Sequence, residues 1–316
     1  SLAGYANMTD NAASRRLGCF ARVFSGTLDI INSNEASYLR LYSDPESKTL
    51  KELMAKRYDV PSDCVFMSNG SDESLNFIFM AFFRGAEGTV FPDITYGFYK
   101  VFAELYGIKY ETIPLKDDFS VDVDDYINIG KNVVLANPNA PSGIFIPVSK
   151  IEKIVSSNPD NIVVIDEAYV DFGGESAVSL TKKYDNLLVV GTFSKSRSLA
   201  GARLGYAIGN RELIGDLEKV KYSTNPYNIN RLTQAAGAAA LKEDKYYMDN
   251  CRKIIKTREW CSSELVKRGF SVTPSCANFI FAAHEKISGK ELYLSLNTGF
   301  SILPVGFLGT SANMIL

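Results

Sequence analysis

The chain has very little histidine and no paired cysteines, and both shortages exclude classes of site. Only one of its 316 residues, His284, is a histidine, which argues against Ser-His-Asp triads and histidine-based metal centres. We expect His284 itself to be a surface residue without a catalytic role. The five cysteines include no Cys-x-x-Cys pair, so neither a metal site nor a disulfide framework is predicted. Scattered free thiols are typical of a reducing compartment, which predicts a cytoplasmic protein.

Long apolar runs and clustered basic charge are also missing. No stretch approaches the roughly 18 apolar residues of a membrane-spanning helix, and residues 1–11 lack the basic-then-apolar character of a secretory signal. The net charge is −2, with both signs interspersed, which gives no sign of a nucleic-acid surface. No Gly-x-Gly-x-x-Gly motif follows an early strand, which argues against a dinucleotide-binding oxidoreductase. We therefore expect small-molecule substrates, and neither a membrane nor a nucleic acid as partner.

What the chain does have is an alternation of short apolar runs and amphipathic stretches. Runs of Val, Ile and Leu at 132–136, 162–165 and 187–191 predict buried strands, because uninterrupted apolar runs suit parallel strands covered on both faces. Amphipathic stretches between them, such as 148–156, predict helices. This rhythm indicates an α/β fold with a mostly parallel central sheet, whose ligand would bind at the carboxyl ends of the strands.

The remaining patterns extend this prediction to two domains. Apolar periodicity predicts helices at 48–59 and 71–83, and a largely helical region at 230–268. A run of apolar and aromatic residues predicts a strand at 277–282. We expect a large domain at 39–228, and a smaller α/β domain that combines 1–38 with 229–316.

Four chemically distinct side chains follow the predicted strands in the middle of the chain. They are Asp166, Tyr169, Lys195 and Arg203. An acid can pair with a protonated pyridine nitrogen, a phenol can bind a ring hydroxyl, a lysine can form a Schiff base, and an arginine can bind a phosphate. Each residue alone has an ordinary interpretation, such as a turn cap for Asp166 or a solvated charge for Lys195. The ordered set points to pyridoxal phosphate.

Two earlier segments add possible contacts for the same ligand. Gly70 and Ser71 precede an apolar helix, where free amides and the helix dipole favour an anion. The alternative is an ordinary helix cap at Ser71 or Asp72. Tyr96 follows a strand and could stack on a flat ring, although one tyrosine among 17 is a weak signal. The Pro- and Asn-rich turn at 137–143 is either part of this site or a simple loop.

At these residues the chain resembles the fold type I pyridoxal-phosphate enzymes, and among them the histidinol-phosphate aminotransferases. The matching segments run in family order from about residue 38 to residue 282. They are GSDE at 70–73, PDITYGFY at 92–99, NPNAPSG at 137–143, DEAYVDF at 166–172, TFSKSRSLAGARLGY at 192–206, NPYNIN at 225–230 and SCANF at 275–279.

The resemblance implies a role for each matching residue. Lys195 would form the Schiff base and move protons, Asp166 would pair with the ring nitrogen, and Tyr169 would bind the 3-oxygen. The residues implied around the cofactor are Gly70, Ser71, Asp72, Tyr96, Asn139, Asp166, Tyr169, Thr192, Ser194, Lys195 and Arg203. Tyr42 resembles the tyrosine that reaches the phosphate of a neighbouring subunit, which implies a homodimer. The implied reaction moves an amino group between glutamate and imidazole-acetol phosphate or a related carbonyl compound.

The chain also departs from the family pattern at positions that bear on the substrate. Ala140 stands where the family has an asparagine beside the 3-oxygen, and Phe20-Ala21 replaces an Asn-Glu pair. The arginines expected near Leu303 and beyond Leu316 are not in the sequence. Two alternatives therefore stay open at this point. One is a decarboxylase related to threonine-phosphate decarboxylase, and the other is a non-catalytic regulator or sugar-binding module that keeps this fold.

Overall fold

Helices and strands alternate along most of the chain. A computed structural model describes residues 25–32, 34–296 and 314–315. Its α-helices are α1 (Ser25–Asn32), α2 (Lys48–Tyr58), α3 (Ser71–Ile78), α4 (Phe98–Tyr106), α5 (Val148–Ser157), α6 (Arg211–Thr224), α7 (Arg231–Lys242), α8 (Asp244–Lys267) and α9 (Gly289–Leu296). Its strands are β1 (Val65–Ser68), β2 (Thr89–Pro92), β3 (Tyr110–Ile113), β4 (Asn132–Ala136), β5 (Val163–Asp166), β6 (Leu187–Thr192), β7 (Gly205–Gly209), β8 (Phe270–Val272), β9 (Ala282–His284) and β10 (Met314–Ile315).

Seven strands form one sheet in the order β1-β7-β6-β5-β4-β2-β3. The five strands from β6 to β3 are parallel, whereas β7 runs antiparallel to both β6 and β1. The mostly parallel α/β sheet is thus confirmed, and the strands predicted at 132–136, 162–165 and 187–191 are its centre. Strand β1 points the same way as β6, so its carboxyl end lies at the same edge as theirs.

Successive residues of the central strands enter two different cores. Val133 and Leu135 of β4 join the cluster under α2, α5 and α7, whereas Val134 joins the cluster under α3, α4 and α6. Burial on both faces explains why these strands read as uninterrupted apolar runs. Each fully buried side chain of this size contributes roughly 1.5–3 kcal/mol of transfer free energy. The two helical layers therefore cover both faces of the sheet, and the polar turns lie at the ends of its strands.

The helix predictions are confirmed with small shifts in their limits. The predicted helix at 71–83 comprises α3 and a π-helical turn at Phe79–Phe83. The helical region at 230–268 consists of two helices, because Glu243 has a non-helical conformation and separates α7 from α8. Helix α7 is capped by Asn230, whose side chain accepts a hydrogen bond from the amide of Thr233, and such a cap satisfies one of the free amides of the first turn.

A second, antiparallel sheet consists of β8, β9 and β10. The strand predicted at 277–282 is wrong for all but its last residue, because β9 begins at Ala282. Two backbone carbonyls before β9 accept hydrogen bonds from side chains and not from a neighbouring strand. The carbonyl of Ala277 accepts from Arg258, and the carbonyl of Phe279 accepts from Ser275. His284 is half-buried at the end of β9, packed edge-on against Phe270 at 4.9 Å between ring centroids.

The proposed domain boundary at 228/229 stays a prediction. Helix α7 follows that boundary, yet its Ala240 and Leu241 belong to the same core as Leu50 and Met54 of α2. Residue Gly237 allows this packing, since a Cβ there would lie 2.3 Å from a methyl group of Leu204. Within residues 25–296, none of the helices has the length and apolar character that crossing a membrane would require.

Candidate active site

Polar turns from several strands meet at one edge of the large sheet. The parallel strands β4, β5 and β6 end there at Ala136, Asp166 and Thr192. Gly205, the first residue of β7, pairs with Thr192 on one side and with Ser68 of β1 on the other. The register therefore places the segments after Ser68, Asp166 and Thr192 side by side. The sequence predicted such strand-end positions for Asp166 and Lys195, whereas the strand that ends at Ser68 was not predicted.

The turn between β1 and α3 forms a shallow site, here called the cradle, that is lined by the glycines Gly70 and Gly205. Gly70 has φ +81°, a left-handed conformation that favours glycine. A Cβ on Gly70 would lie 2.5 Å from Nη2 of Arg203, and a Cβ on Gly205 would lie 2.3 Å from the amide nitrogen of Ser71. Both glycines therefore let the guanidinium of Arg203 and the first amides of α3 come close together. Amides and a guanidinium at a helix N-terminus form an anion site.

Asp72 connects this cradle to the predicted ring-stacking residue. One carboxylate oxygen lies 3.1 Å from Nη2 of Arg203, and the other accepts a hydrogen bond of 2.8 Å from the hydroxyl of Tyr96. The side chains of Asp72 and Arg203 are both about half exposed, so the ion pair contributes little to stability. It does place the arginine, the carboxylate and the tyrosine in one cluster, which the sequence motifs did not specify.

Asp166 is the buried acid of the site. Its side chain is 5% exposed at the end of β5, and burial raises its pKa from an ordinary value of 3.8 to about 6. Hydrogen bonds from Tyr99 and from the amide of Ala168 oppose that rise, as does the positive charge of Lys195. The hydroxyl of Tyr99 donates to Oδ2 at 2.8 Å. Sequence reasoning gave no role to Tyr99, the last residue of the matching segment at 92–99, because its partner Asp166 lies 67 positions away.

Lys195 follows β6 and faces the phenol of Tyr169. Its ammonium nitrogen is 5.2 Å from the centre of the Tyr169 ring, and the side chain is exposed. Within the described residues it makes no ion pair. Phe279 also packs edge-on against Tyr169, at 5.0 Å between ring centroids. The lysine predicted to be the nucleophile is therefore next to the predicted phenol and unblocked by a counter-ion.

The two hydroxyl residues before Lys195 organise its turn. The amide of Ser194 donates to Oγ1 of Thr192 at 3.1 Å, and the two hydroxyl oxygens are 2.9 Å apart. Ser196, on the other side of the lysine, donates to Asp171 at 2.5 Å. The turn is therefore held on both sides of Lys195 by short side-chain hydrogen bonds.

Asn139 and Tyr42 take positions different from the rest of the cluster. The amide of Asn139 is 1% exposed and is used inside the protein, where it binds Thr95, the carbonyl of Ile94 and Ser142. Its assignment to the cofactor stays a prediction. Tyr42 is 78% exposed and stacks on Tyr227, with 4.4 Å between ring centroids. The positions near Leu303 and at Phe20-Ala21 lie outside the described residues.

The acid next to Asp166 is also buried and was not singled out from the sequence. Glu167 accepts hydrogen bonds of 2.6 Å from the hydroxyl of Ser176 and the amide of Ala177. Burial raises the pKa of Glu167 to about 8, against the opposing effect of these two donors. Its contacts tie the 176–177 segment to the end of β5, which makes it a structural neighbour of the site.

The residues at this edge fit pyridoxal phosphate. The cradle at Gly70 offers donors for a phosphate. The buried carboxyl of Asp166 lacks a full cationic partner, which a pyridinium N–H would supply. Lys195 is free to react with an aldehyde. The three features combine anion binding, acid pairing and a nucleophile in one cluster, as this cofactor requires.

The comparisons with known proteins identify the family. The model of the family described as aminotransferase class I and II matches residues 14–301. The chain belongs to this family. As a member of the class I and II aminotransferases, it is a pyridoxal-phosphate-dependent transaminase. The fold type expected from the motifs is thereby confirmed.

Individual aminotransferases show how far the similarity extends. A histidinol-phosphate aminotransferase from Brachyspira hyodysenteriae is 51% identical over 259 residues, covering 82% of this chain and 73% of the relative. The crystal structure of histidinol-phosphate aminotransferase from Clostridium acetobutylicum has a TM-score of 0.83 at 26% identity, covering 92% of this chain and 89% of that one. The enzyme from Sinorhizobium meliloti, in complex with pyridoxal-5'-phosphate, has a TM-score of 0.81 at 23% identity, covering 93% and 82%.

Proposed function

We propose that the chain is a histidinol-phosphate aminotransferase. It would exchange the amino group of glutamate with the carbonyl of imidazole-acetol phosphate, with pyridoxal phosphate as carrier. The names of the relative from Brachyspira hyodysenteriae and of the solved structures support this substrate. The observation that carries the chemistry is the joint position of Lys195, Asp166 and Arg203 at one edge of the sheet.

Pyridoxal phosphate supplies an aldehyde carbon and a ring that accepts electrons. Arg203 and the amides at the start of α3 would bind its phosphate, and Tyr96 would orient the ring. Asp166 would hold a proton on the ring nitrogen, because a buried carboxylate stabilises that charge strongly. The Nζ of Lys195 would attach to the aldehyde and, once released, would accept the proton from the Cα of the amino acid. Tyr169 would orient Lys195 and bind the 3-oxygen.

The two alternatives receive less support. The relative at 51% identity and the solved structure at 26% identity are both named as aminotransferases, so a threonine-phosphate decarboxylase is the weaker interpretation. A non-catalytic regulator would have no use for Lys195 beside Tyr169 and for a buried acid at the ring position.

The amino donor and acceptor can be tested on the purified, cofactor-loaded protein. Glutamate should convert the visible absorbance band of the cofactor into the near-ultraviolet band of its amine form, and imidazole-acetol phosphate should restore the visible band. In the control, imidazole-acetol phosphate is added without glutamate, and the visible band should not change. Release of carbon dioxide from threonine phosphate, with no response to glutamate, would instead establish the decarboxylase.

The homodimer and the cytoplasmic location belong to the same proposal. Residues 38–42 expose Tyr38, Leu39, Leu41 and Tyr42, and an exposed apolar segment is typical of an interface. In the dimer, Tyr42 would reach the phosphate held by the partner subunit. Sedimentation equilibrium should give twice the chain mass of 34.8 kDa, and Tyr42→Phe should weaken cofactor binding while leaving that mass unchanged. A monomer with full activity would refute this arrangement.

A further inference from the structure

Two tyrosines from one turn bind the two carboxylates of the site. Tyr96 and Tyr99 lie just before and within the first turn of α4. Their rings meet edge to face, at 5.6 Å between centroids and 77° between planes. Tyr96 donates to Asp72 beside the phosphate cradle, whereas Tyr99 donates to Asp166. One short segment therefore supplies a hydrogen bond at each end of the cofactor site.

The hydrogen bond from Tyr99 is the more enclosed of the two. The Tyr99 side chain is 0% exposed, and Phe91 packs edge-on against its ring at 5.9 Å. Burial raises the pKa of Tyr99 well above its ordinary value of 10, so its hydroxyl keeps a proton to donate throughout the neutral range. The other oxygen of Asp166 accepts from the amide of Ala168 at 3.2 Å. Each carboxylate oxygen thus has one donor, at a fixed position.

We propose that Tyr99 is a positioning residue for transamination, which acts by keeping the carboxylate of Asp166 oriented and ionised toward the ring nitrogen. This inference rests on the proposed function above. Tyr99 does not contact the reacting atoms; it acts through Asp166. Because a carboxylate that accepts a hydrogen bond holds its negative charge more firmly, the phenol assists the pairing with a pyridinium N–H.

The effect of the Tyr99 hydroxyl on the ionisation of Asp166 can be separated from the effects of the surrounding charged groups. Asp72 and Glu167 are the neighbouring acids, and Lys195 is the neighbouring cation. Tyr96 and Tyr169 also face this region. None of these groups changes when the Tyr99 hydroxyl is removed. Loss of a hydrogen bond to a charged group corresponds to a shift of about one pH unit or more in the ionisation of Asp166.

The experiment compares Tyr99→Phe with a matched control on the same helix. Tyr106→Phe also removes one phenol hydroxyl, which here donates to Asn76 at 2.7 Å and lies away from Asp166. The affinity for pyridoxal phosphate is titrated from pH 5 to 9 on the cofactor-free full chain. In Tyr99→Phe the acidic limb of this profile should move up by about one pH unit, with affinity about tenfold lower on that limb. Tyr106→Phe should keep the wild-type profile.

A second variant separates the donor from its packing. Tyr99→His retains a ring N–H that can donate, so its acidic limb should stay at or below the wild-type position, and this result stands even if Tyr99→Phe does not fold. An unchanged acidic limb in Tyr99→Phe, with only a lower melting temperature, would overturn the proposal. So would an upward shift in Tyr99→His as large as in Tyr99→Phe. Cofactor binding is measured without substrate, so a failure of the wild type to respond to glutamate would refute the proposed function independently.

Discussion

Replacing Lys195 with alanine should abolish transamination and the visible band that the bound cofactor shows. The structure leaves the ammonium of Lys195 beside Tyr169 with no ion pair among the described residues, so this amine is available to react with an aldehyde. A positioned acid–base group contributes about 10²–10⁴-fold, and Lys195 is also the covalent attachment. We therefore expect a loss of about 10⁴-fold or more in the glutamate half-reaction, measured by stopped-flow absorbance.

Lys183→Ala is the matched control for this variant. Lys183 is an exposed lysine whose ammonium pairs with Glu152 at 2.6 Å on the surface, so its removal should leave the spectrum and the rate unchanged. The phosphate contacts survive in Lys195→Ala, so cofactor should still bind reversibly and be removed by dialysis. A normal visible band in Lys195→Ala would show that another lysine is the nucleophile.

Replacing Asp166 with asparagine should have opposite effects on activity and on the stability of the cofactor-free protein. An amide cannot balance a pyridinium charge, and removal of one preorganised electrostatic contact in an active site costs about 10²–10³-fold in rate. Without the cofactor, however, the ionised carboxylate is buried at a cost. The introduced side-chain amide could accept from the backbone amide of Ala168 and donate to the hydroxyl oxygen of Tyr99, so both hydrogen bonds would remain without the charge.

The direction of the stability change in Asp166→Asn follows from the pH dependence of wild-type stability. The pKa of Asp166 is raised in the folded state from 3.8 to about 6, so the folded state binds the proton more tightly than the unfolded state does. The stability that the folded protein gains from the protonated Asp166 is fully present below about pH 4. It is lost as the pH rises through 6 and the buried carboxyl ionises. Relative to wild type, cofactor-free Asp166→Asn should gain on the order of 2 kcal/mol between pH 4 and 7, and nothing further above.

Urea denaturation of both cofactor-free proteins across this pH range measures the gain. Asp63→Asn serves as the control, because this exposed acid pairs with Arg211 at 2.7 Å and precedes β1, at the opposite end of that strand from Ser68. A stability difference between Asp166→Asn and wild type that is the same at every pH would contradict the assignment of the buried charge.

Much of the fold was predictable because burial on both faces leaves a direct mark on a sequence. Strands β4, β5 and β6 are uninterrupted runs of Val, Ile and Leu, and each was predicted to within one residue at either end. Strand β7 was not predicted, because its sequence GYAIG begins and ends with glycine. Those glycines are required by close contacts with neighbouring segments, which a local pattern does not record.

The wrong prediction of a strand at 277–282 has a comparable cause. Its apolar and aromatic residues have the composition of a strand, but tertiary contacts take precedence over that preference. Phe279 packs against Tyr169, and the carbonyl of Ala277 binds the guanidinium of Arg258. Side chains outside the segment, one from α8 and one from the turn after β5, therefore hold it in a conformation other than a strand.

The site itself was predictable where a residue carries its own chemistry. Lys195, Asp166 and Arg203 were identified because their charges are expensive or reactive at strand ends. Tyr99 was missed because a tyrosine on an apolar helix face looks like any core aromatic. The role proposed for it depends on a hydrogen bond to a residue 67 positions away, which only the folded chain brings within reach. Thus the reactive groups were predictable and the groups that position them were not.

The close approach of β7 to the turn at Gly70 also restricts how the family can diverge. A side chain at Gly205 would collide with the backbone of Gly70 and Ser71, and a side chain at Gly70 would collide with Arg203. Two segments that are distant in the sequence are therefore mutually dependent, and a larger residue at either glycine would be accommodated only if the facing segment moved.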